Sequence, residues 1–186
     1  FIVNEGQATI SGRLVQTPGY YESAQIRNTV IKEGKESFIN NFKRDFDAAI
    51  RLKDSKIDSL NALDDPLQIS IDFESALNGE AVVYFDPMLG QGYKQNPFKS
   101  AKRQYPVEMP FTIDRSYQME MEVPEGYTVD ELPRPMLVKL NEKGDGIFEY
   151  RMSQSAGRIS FRTRLKISRA LFVPEEYQLL REFFNQ

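Results

Sequence analysis

The apolar residues of this chain recur at every second position over much of its length, and this spacing constrains the fold most. Residues 67–74 read Leu-Gln-Ile-Ser-Ile-Asp-Phe-Glu, so apolar and polar side chains alternate. The same alternation returns in residues 107–114, 117–123, 148–152 and 159–167, and a turn is predicted at 114–116 between the first two of these segments. Because successive side chains of a strand point to opposite faces, the pattern predicts antiparallel strands with one buried and one wet face. We therefore predict antiparallel, β-sandwich-like sheets.

A different spacing near the N-terminus predicts helices. A short strand is predicted first, with Ala8, Ile10 and Leu14 on one face and a turn at 17–19. Ile26 and Val30 then lie four apart, and Gly34 is placed to end that helix. A second helix is predicted from four apolar residues at intervals of four, widened by Ile39 and Ala49: Phe38, Phe42, Phe46 and Ile50. The simplest arrangement is an αα-hairpin that covers a sheet.

The end of the chain also has helical spacing. Pro174 stands at a typical first helical position, Glu175 and Glu176 complement the helix dipole, and Tyr177 with Leu180 begins an apolar face. We predict an α+β fold that is mainly β: one domain over residues 1–186, with a strand and helical hairpin in 1–52 and antiparallel strands and a C-terminal helix in 53–186. The chain lacks an initiator Met and stops within a helical pattern, so we expect a piece of a longer protein.

Three absences from the composition exclude whole classes of chemistry. The 186 residues include no Cys, no His and no Trp. Thiolate nucleophiles, imidazole proton shuttles and Cys or His metal ligands are therefore excluded. A net charge of −3 argues against nucleic acid and anionic membrane surfaces as partners, and no apolar run reaches the roughly 20 residues of a membrane helix. We predict no enzyme activity, no cofactor and no metal for this domain.

Paired carboxylates are the remaining candidates for acid-base chemistry. Glu120 and Glu122 fall on the wet face of a predicted strand. Asp64-Asp65 precedes Pro66 as in a turn, and Glu175-Glu176 starts a helix. Each pair thus has a local structural explanation. Asp58 with the Asp64 pair, or Asp145 in its glycine-rich turn, gives only a weak pattern for a hard cation.

The densest basic run lies on one predicted strand and has the same kind of explanation. It consists of Arg158, Arg162, Arg164 and Lys166. Since Phe161 belongs to the opposite face, the run does not form an aromatic-and-basic platform for nucleic acid. We predict instead a ladder of exposed ion pairs with acidic residues of neighbouring strands, namely Glu149, Glu120 and Glu122.

A stretch between Phe85 and Tyr105 follows neither spacing. A connection of this length is uncommon in a compact domain and is usually functional. Its apolar members predict a loop packed by its own side chains: Met88, Leu89, Tyr93 and Phe98. We predict an interaction surface on this stretch, formed by Tyr93, Asn96, Phe98, Arg103 and Tyr105.

A succession of short motifs resembles a known family. The order is Asn96-Pro97-Phe98, Arg103, Tyr105-Pro106-Val107, Val123-Pro124-Glu125-Gly126-Tyr127, Glu131-Leu132-Pro133, Pro174-Glu175-Glu176-Tyr177 and Leu180-Arg181. It resembles the C-terminal domain of unknown function that follows the transglutaminase-like core in exported proteins of Bacteroides-type bacteria. The strand around Gly12 and the stretch from Gly19 to Arg27 are also similar.

The resemblance implies a context rather than a mechanism. The family's proteins carry a papain-like, protease-like core with a Cys-His-Asp triad, none of which can be placed on a chain without Cys or His. It implies a non-catalytic accessory domain of an exported, periplasmic or cell-envelope protein, whose partner is the catalytic core of its own parent chain. The alternative is an autonomous β-sandwich module that binds a glycan or a protein through Tyr20, Tyr21, Tyr93, Phe98 and Tyr105.

Overall fold

The computed structural model describes residues 9–44, 50–76, 82–90, 92–93 and 95–185. These residues form strands, α-helices and one 3-10 turn at Pro174–Glu176. In chain order the elements are β1 (Thr9–Thr17), α1 (Tyr20–Glu33), α2 (Lys35–Lys43), β2 (Ile50–Asp58), β3 (Gln68–Ala76), β4 (Val107–Glu108), β5 (Ile113–Glu122), β6 (Met136–Lys139), β7 (Gly146–Ser155), β8 (Arg158–Ile167), β9 (Leu171–Phe172) and α3 (Tyr177–Phe183).

Most of the described strands belong to one antiparallel sheet. Its seven strands run in the order β2-β3-β1-β5-β8-β7-β6, and β4 pairs with β9 in a separate ribbon. The N-terminal strand β1 lies between β3 and β5, so it joins the two halves of the sheet. Strands β5 and β8 pair from Ile113 opposite Ile167 to Glu122 opposite Arg158. The predicted mainly antiparallel α+β fold is confirmed.

The alternating side chains bury one face of this sheet. Ile69, Ile71 and Phe73 of β3 are almost completely buried, while Gln68 beside them is exposed. Burial of each such apolar side chain stabilises the fold by roughly 1.5–3 kcal/mol. The helix pair covers part of this face, because Ile26 of α1 and Phe38 of α2 pack against the same core.

The two N-terminal helices meet at Gly34 as predicted. The backbone of Gly34 has φ +87°, and its N–H donates to the carbonyl of Val30 at 2.9 Å. A residue without Cβ adopts this φ without strain, so α1 ends at Glu33 and α2 begins at Lys35. Within the described residues, no helix combines the length and apolarity needed to cross a membrane.

A second core lies at the other end of the sheet, under the C-terminal helix. Phe172 of β9, Tyr177 and Leu180 of α3, and Ile167 of β8 are buried together with Val107 of β4. The β4-β9 ribbon and α3 therefore close the end of the sheet that the N-terminal helices leave uncovered. The predicted C-terminal helix is confirmed.

The second predicted helix is shorter than expected. Helix α2 ends at Lys43, and Ile50 begins β2 instead of continuing a helix. Ile50 lies opposite Ser75 of β3, so its apolar side chain belongs to a strand of the sheet and not to the apolar face of a helix. Two other members of the predicted stripe, Phe46 and Ala49, lie outside the described residues. So does Ala8 of the first predicted strand.

The predicted strand over residues 107–114 is divided in the structure. Only Val107 and Glu108 form β4, and β5 starts at Ile113. Pro110 lies between them and has no N–H to donate to a ladder. The turn predicted at 114–116 is wrong, because each of these residues pairs with β8. Their partners are Lys166, Leu165 and Arg164, respectively.

The solvent-exposed face of the sheet carries ion pairs between neighbouring strands; Glu122 is a predicted partner of the basic run, whereas Asp114 is not among the predicted partners. The Nη2 of Arg158 in β8 lies 2.9 Å from the Oε1 of Glu122, and the Nη2 of Arg164 lies 2.8 Å from the Oδ2 of Asp114. The hydrogen bond from Arg164 lowers the pKa of the Asp114 carboxyl. Pairs this exposed stabilise a protein by roughly 0–1 kcal/mol each, so this charge run contributes modestly to the fold.

Candidate functional site

Three of the predicted surface residues lie against the C-terminal helix. The Nδ2 of Asn96 donates to the carbonyl of Arg181 at 2.7 Å and to the Oδ1 of Asn185 at 2.6 Å. The rings of Tyr93 and Phe98 both meet the ring of Phe184 edge-on, with centroids 5.3 and 5.2 Å away. These contacts hold the long loop on α3.

The other two predicted surface residues are placed differently. Arg103 and Tyr105 are exposed, and Tyr105 keeps 77% of its surface accessible. Just before them the carbonyl of Ser100 accepts a hydrogen bond from the Tyr177 hydroxyl at 2.8 Å. The loop is therefore anchored up to Ser100, and Tyr105 stands beyond that anchor.

In two of the three predicted carboxylate pairs, one member is engaged in a structural ion pair. Glu122 pairs with Arg158, and Glu176 pairs with Arg169 at 2.6 Å. The loop that holds Asp65 is tied by Arg27, whose guanidinium donates to four carbonyls of that loop: Ser59, Leu60, Ala62 and Asp65. Across the part of the chain that the structure describes, no cluster of three or more acidic side chains could hold a metal ion.

A cavity of about 440 Å³ opens on the buried face of the main sheet, between the two cores. One row of its floor crosses four strands. Gln16 of β1 lies opposite Tyr117 of β5, which lies opposite Thr163 of β8, which lies opposite Tyr150 of β7. The neighbouring row consists of Arg115, Leu165 and Phe148. We call this space the sheet cavity.

Aromatic side chains are the largest group among the residues that line the sheet cavity. Besides Tyr117 and Tyr150 of the floor, four phenyl rings line it: Phe148, Phe161, Phe183 and Phe184. Tyr93 and Met88 of the long loop form a further side. Cavities of a few hundred Å³ with apolar walls and a few polar groups are the usual form of small-molecule sites.

Besides the hydroxyls of Tyr93 and Tyr150, four polar side chains lie in this lining. Thr163 donates its hydroxyl to the carbonyl of Glu149 at 2.9 Å. Arg115 is held by Glu22 of α1, with its Nε 3.0 Å from Oε2. Only 8% of the surface of Gln16 is accessible, and its Oε1 is buried without a hydrogen-bond partner. Tyr117 is the fourth.

Tyr117 fixes the long loop to the cavity floor. Its hydroxyl donates to the carbonyl of Pro87 at 2.8 Å. Burial, and secondarily the charge of Asp86, raises the pKa of this phenol, so it stays neutral and keeps donating. Asp86 in turn accepts hydrogen bonds from the N–H groups of Met88 and Gly90 at 2.8 and 2.9 Å. The cavity wall is thereby ordered on the sheet.

The sequence carries a signal for this site that motif reasoning misses. Gln16, Arg115 and Thr163 occupy positions of the alternation where an apolar residue is expected. Thr163 stands between Phe161 and Leu165, and Arg115 stands two residues before Tyr117. A polar residue at a core-facing position indicates either a hydrogen-bond partner across the core or a cavity. In the structure these three polar residues lie in two adjoining rows of the sheet.

Two exposed aromatic side chains begin helix α1. The rings of Tyr20 and Tyr21 meet edge-on at 5.5 Å, and Tyr21 stacks on Phe111 at 5.5 Å with 20° between the planes. Tyr20 keeps 75% and Tyr21 54% of its surface accessible. The next residue, Glu22, holds Arg115 of the sheet cavity. We call Tyr20, Tyr21 and Phe111 the aromatic cluster.

Comparison with known protein families gives a match. A family model described as Domain of Unknown Function with solved-structure structure (DUF3858) matches residues 81–186. This range includes the long loop, β4 to β9 and the C-terminal helix. Searches of curated proteins and of solved structures found no match.

Proposed function

The chain belongs to the DUF3858 family of domains of unknown function, and we propose that it is a non-catalytic accessory domain that docks on the catalytic core of its own parent chain. In this proposal the parent is an exported protein with a transglutaminase-like or protease-like core. The motif succession from Asn96 to Arg181 supports that context. The aromatic cluster supports the docking and is the observation that carries it.

The aromatic cluster has the properties of a protein-docking surface. Tyr rings bring large apolar area and a hydroxyl at low cost in side-chain entropy, and they are enriched at interfaces. Stacking on Phe111 orders the Tyr21 ring before a partner arrives, which lowers the entropy lost on binding. Contiguous exposed apolar surface of this kind is characteristic of interaction sites.

Binding between this chain and the separately expressed core of its parent tests the proposal. We expect Tyr20→Ala combined with Tyr21→Ala to weaken that binding at least tenfold in titration calorimetry, because buried Tyr residues often dominate interfaces. Ile31→Ala is the matched control: Ile31 is 73% exposed on the same helix but about 15 Å along it.

Equal effects of both changes, or no binding by the unmodified chain, would overturn the docking proposal. The parent sequence provides a second test. A Cys-His-Asp core ahead of Phe1 supports the proposed context, and a signal peptide directly before Phe1 contradicts it.

The autonomous binding module is the second candidate, and the exposed ring of Tyr105 favours it. Its five predicted aromatic residues fall into separate groups by ring contact: Tyr20 with Tyr21, and Tyr93 with Phe98 through Phe184. Specific capture of one glycan on an array by the isolated chain, lost in Tyr105→Ala and kept in Ile31→Ala, would replace the accessory role.

A further inference from the structure

The size of the sheet cavity restricts what can occupy it. Its volume of about 440 Å³ lies within the range of roughly 300–1,000 Å³ of small-molecule pockets. A cavity of about 150 Å³ already accepts benzene. The sheet cavity therefore has room for two fused rings or a molecule of similar size.

The charges around the cavity favour a neutral occupant. Arg115 is the cationic side chain in the described lining, and both oxygens of the Glu22 carboxylate accept hydrogen bonds from it. This bidentate pairing cancels its charge locally. A charged ligand would lose its hydration against aromatic walls without gaining an opposite charge.

Gln16 provides the hydrogen-bond acceptor that selects for a ligand with a donor group. In its row of the floor, the Tyr117 and Thr163 hydroxyls already donate to backbone carbonyls, and the remaining member, Tyr150, is only partly buried. The Oε1 of Gln16 is buried without a donor, which is unfavourable for an amide oxygen. Gln16 lines the cavity, and in this proposal a half-turn of its terminal amide exchanges the oxygen and nitrogen positions and presents the oxygen to a ligand.

We propose that the sheet cavity binds a small neutral ring molecule with one hydrogen-bond donor, of the phenol or indole class. The rings lie between the aromatic walls, and the O–H or N–H donates to Oε1 of Gln16. This binding does not depend on docking to a parent core. It gives the domain a ligand site separate from the aromatic cluster.

The chain itself can be tested with 2-naphthol, using 2-methoxynaphthalene as the matched probe without a donor. Naphthol fluorescence is measurable because the chain has no Trp. We expect saturable one-to-one binding of 2-naphthol, about five- to tenfold tighter than 2-methoxynaphthalene, which corresponds to one net hydrogen bond. With ¹³C-methyl methionine, the Met88 signal should shift, because Met88 lines the cavity, while that of Met109 should not.

Two substitutions test whether the donor group of the ligand contacts Gln16. Gln16→Met keeps the shape and removes the acceptor, so it should erase the preference for 2-naphthol. Gln118→Met is the control, since Gln118 is exposed on the opposite face of the sheet and the preference should persist. Absence of saturation, an unshifted Met88 signal, or a preference that survives Gln16→Met would each overturn the proposal. The comparison of the two probes on the unmodified chain needs no variant.

Discussion

The guanidinium of Arg115 grips the carboxylate of Glu22 with two parallel hydrogen bonds, Nε to Oε2 at 3.0 Å and Nη2 to Oε1 at 2.5 Å. Arg115 belongs to β5 and Glu22 to the first turn of α1, so the pair ties the helix to the sheet. It also joins the two features on which our proposals rest, because Glu22 follows Tyr21 of the aromatic cluster and Arg115 lines the sheet cavity.

Loss of this grip should loosen helix α1 from the sheet. We expect Glu22→Gln to lower the free energy of unfolding by about 1 kcal/mol, since a neutral amide accepts only one of the two charge-assisted hydrogen bonds. Urea denaturation followed by circular dichroism measures this. Glu33→Gln, an exposed position at the end of the same helix, should change it by less than about 0.5 kcal/mol. Similar values for both would mean that the pair contributes nothing specific.

The hydroxyl of Tyr117 should matter more than that of an exposed tyrosine. Tyr117→Phe leaves the carbonyl of Pro87 without its donor, so we expect a loss of about 1–2 kcal/mol in the free energy of unfolding. Tyr105→Phe is the control, because Tyr105 is exposed and should stay within about 0.5 kcal/mol. Indistinguishable losses would contradict a role for Tyr117 in fixing the loop.

The same phenol predicts a dependence on alkaline pH. Its pKa is raised in the folded state by burial, while in the unfolded chain it is about 10. The unfolded state therefore releases this proton first, and stability falls as pH rises above about 10, at a limit of roughly 1.4 kcal/mol per pH unit. Unfolding measured between pH 9 and 11.5 should show a shallower decline for Tyr117→Phe than for the unmodified chain. Parallel declines would contradict the prediction.

The strands and the helix pair could be read from the sequence because their signals are local. The alternation of β3 and the stop at Gly34 each lie within a few residues. Strand β2 gave no such signal, since it is an edge strand with charged residues and a register shift between Leu52 and Asp54. The end of α2 was misplaced because Ile50, at helical spacing from Phe42, pairs instead with Ser75, far along the chain.

The candidate site was less accessible to sequence reasoning than the fold. Its floor joins Gln16 to Tyr117 and Thr163, residues 46 to 147 positions apart in the chain, through a register that only the folded sheet defines. Arg115 looked like part of a turn because polar neighbours surround it, yet β8 pairs with it throughout. The packed character of the long loop could be predicted, because Leu89 is apolar and is indeed buried.

The buried amide of Gln16 should reduce stability in the absence of a ligand. Since its Oε1 is buried and unpartnered, we expect Gln16→Met to raise the free energy of unfolding by about 0.5–1 kcal/mol, the gain from removing a desolvated acceptor. Gln118→Met on the wet face should change it by less than about 0.5 kcal/mol. A substantial loss in Gln16→Met would show that the amide is satisfied in solution.

Glu176 should stabilise the C-terminal helix in a manner that depends on acidic pH. Its Oε1 accepts from Arg169 at 2.6 Å and its Oε2 from the Val173 N–H at 3.1 Å. These contacts, Arg169 first, lower the pKa of the Glu176 carboxyl. A carboxyl with a depressed folded pKa contributes stability above its unfolded pKa of about 4.3, and the contribution is lost as pH falls through the folded value.

Glu176→Gln should therefore lower the free energy of unfolding by about 1 kcal/mol at pH 7, and the difference from the unmodified chain should shrink toward zero below pH 4. Glu175→Gln is the control, because Glu175 is the exposed neighbour. Arg169 lies over the ring of Phe172 at 4.5 Å, so its position is retained when Glu176 is neutral. A deficit that is the same at pH 7 and pH 3 would mean that shape, not the carboxylate charge, holds β9 to the helix start.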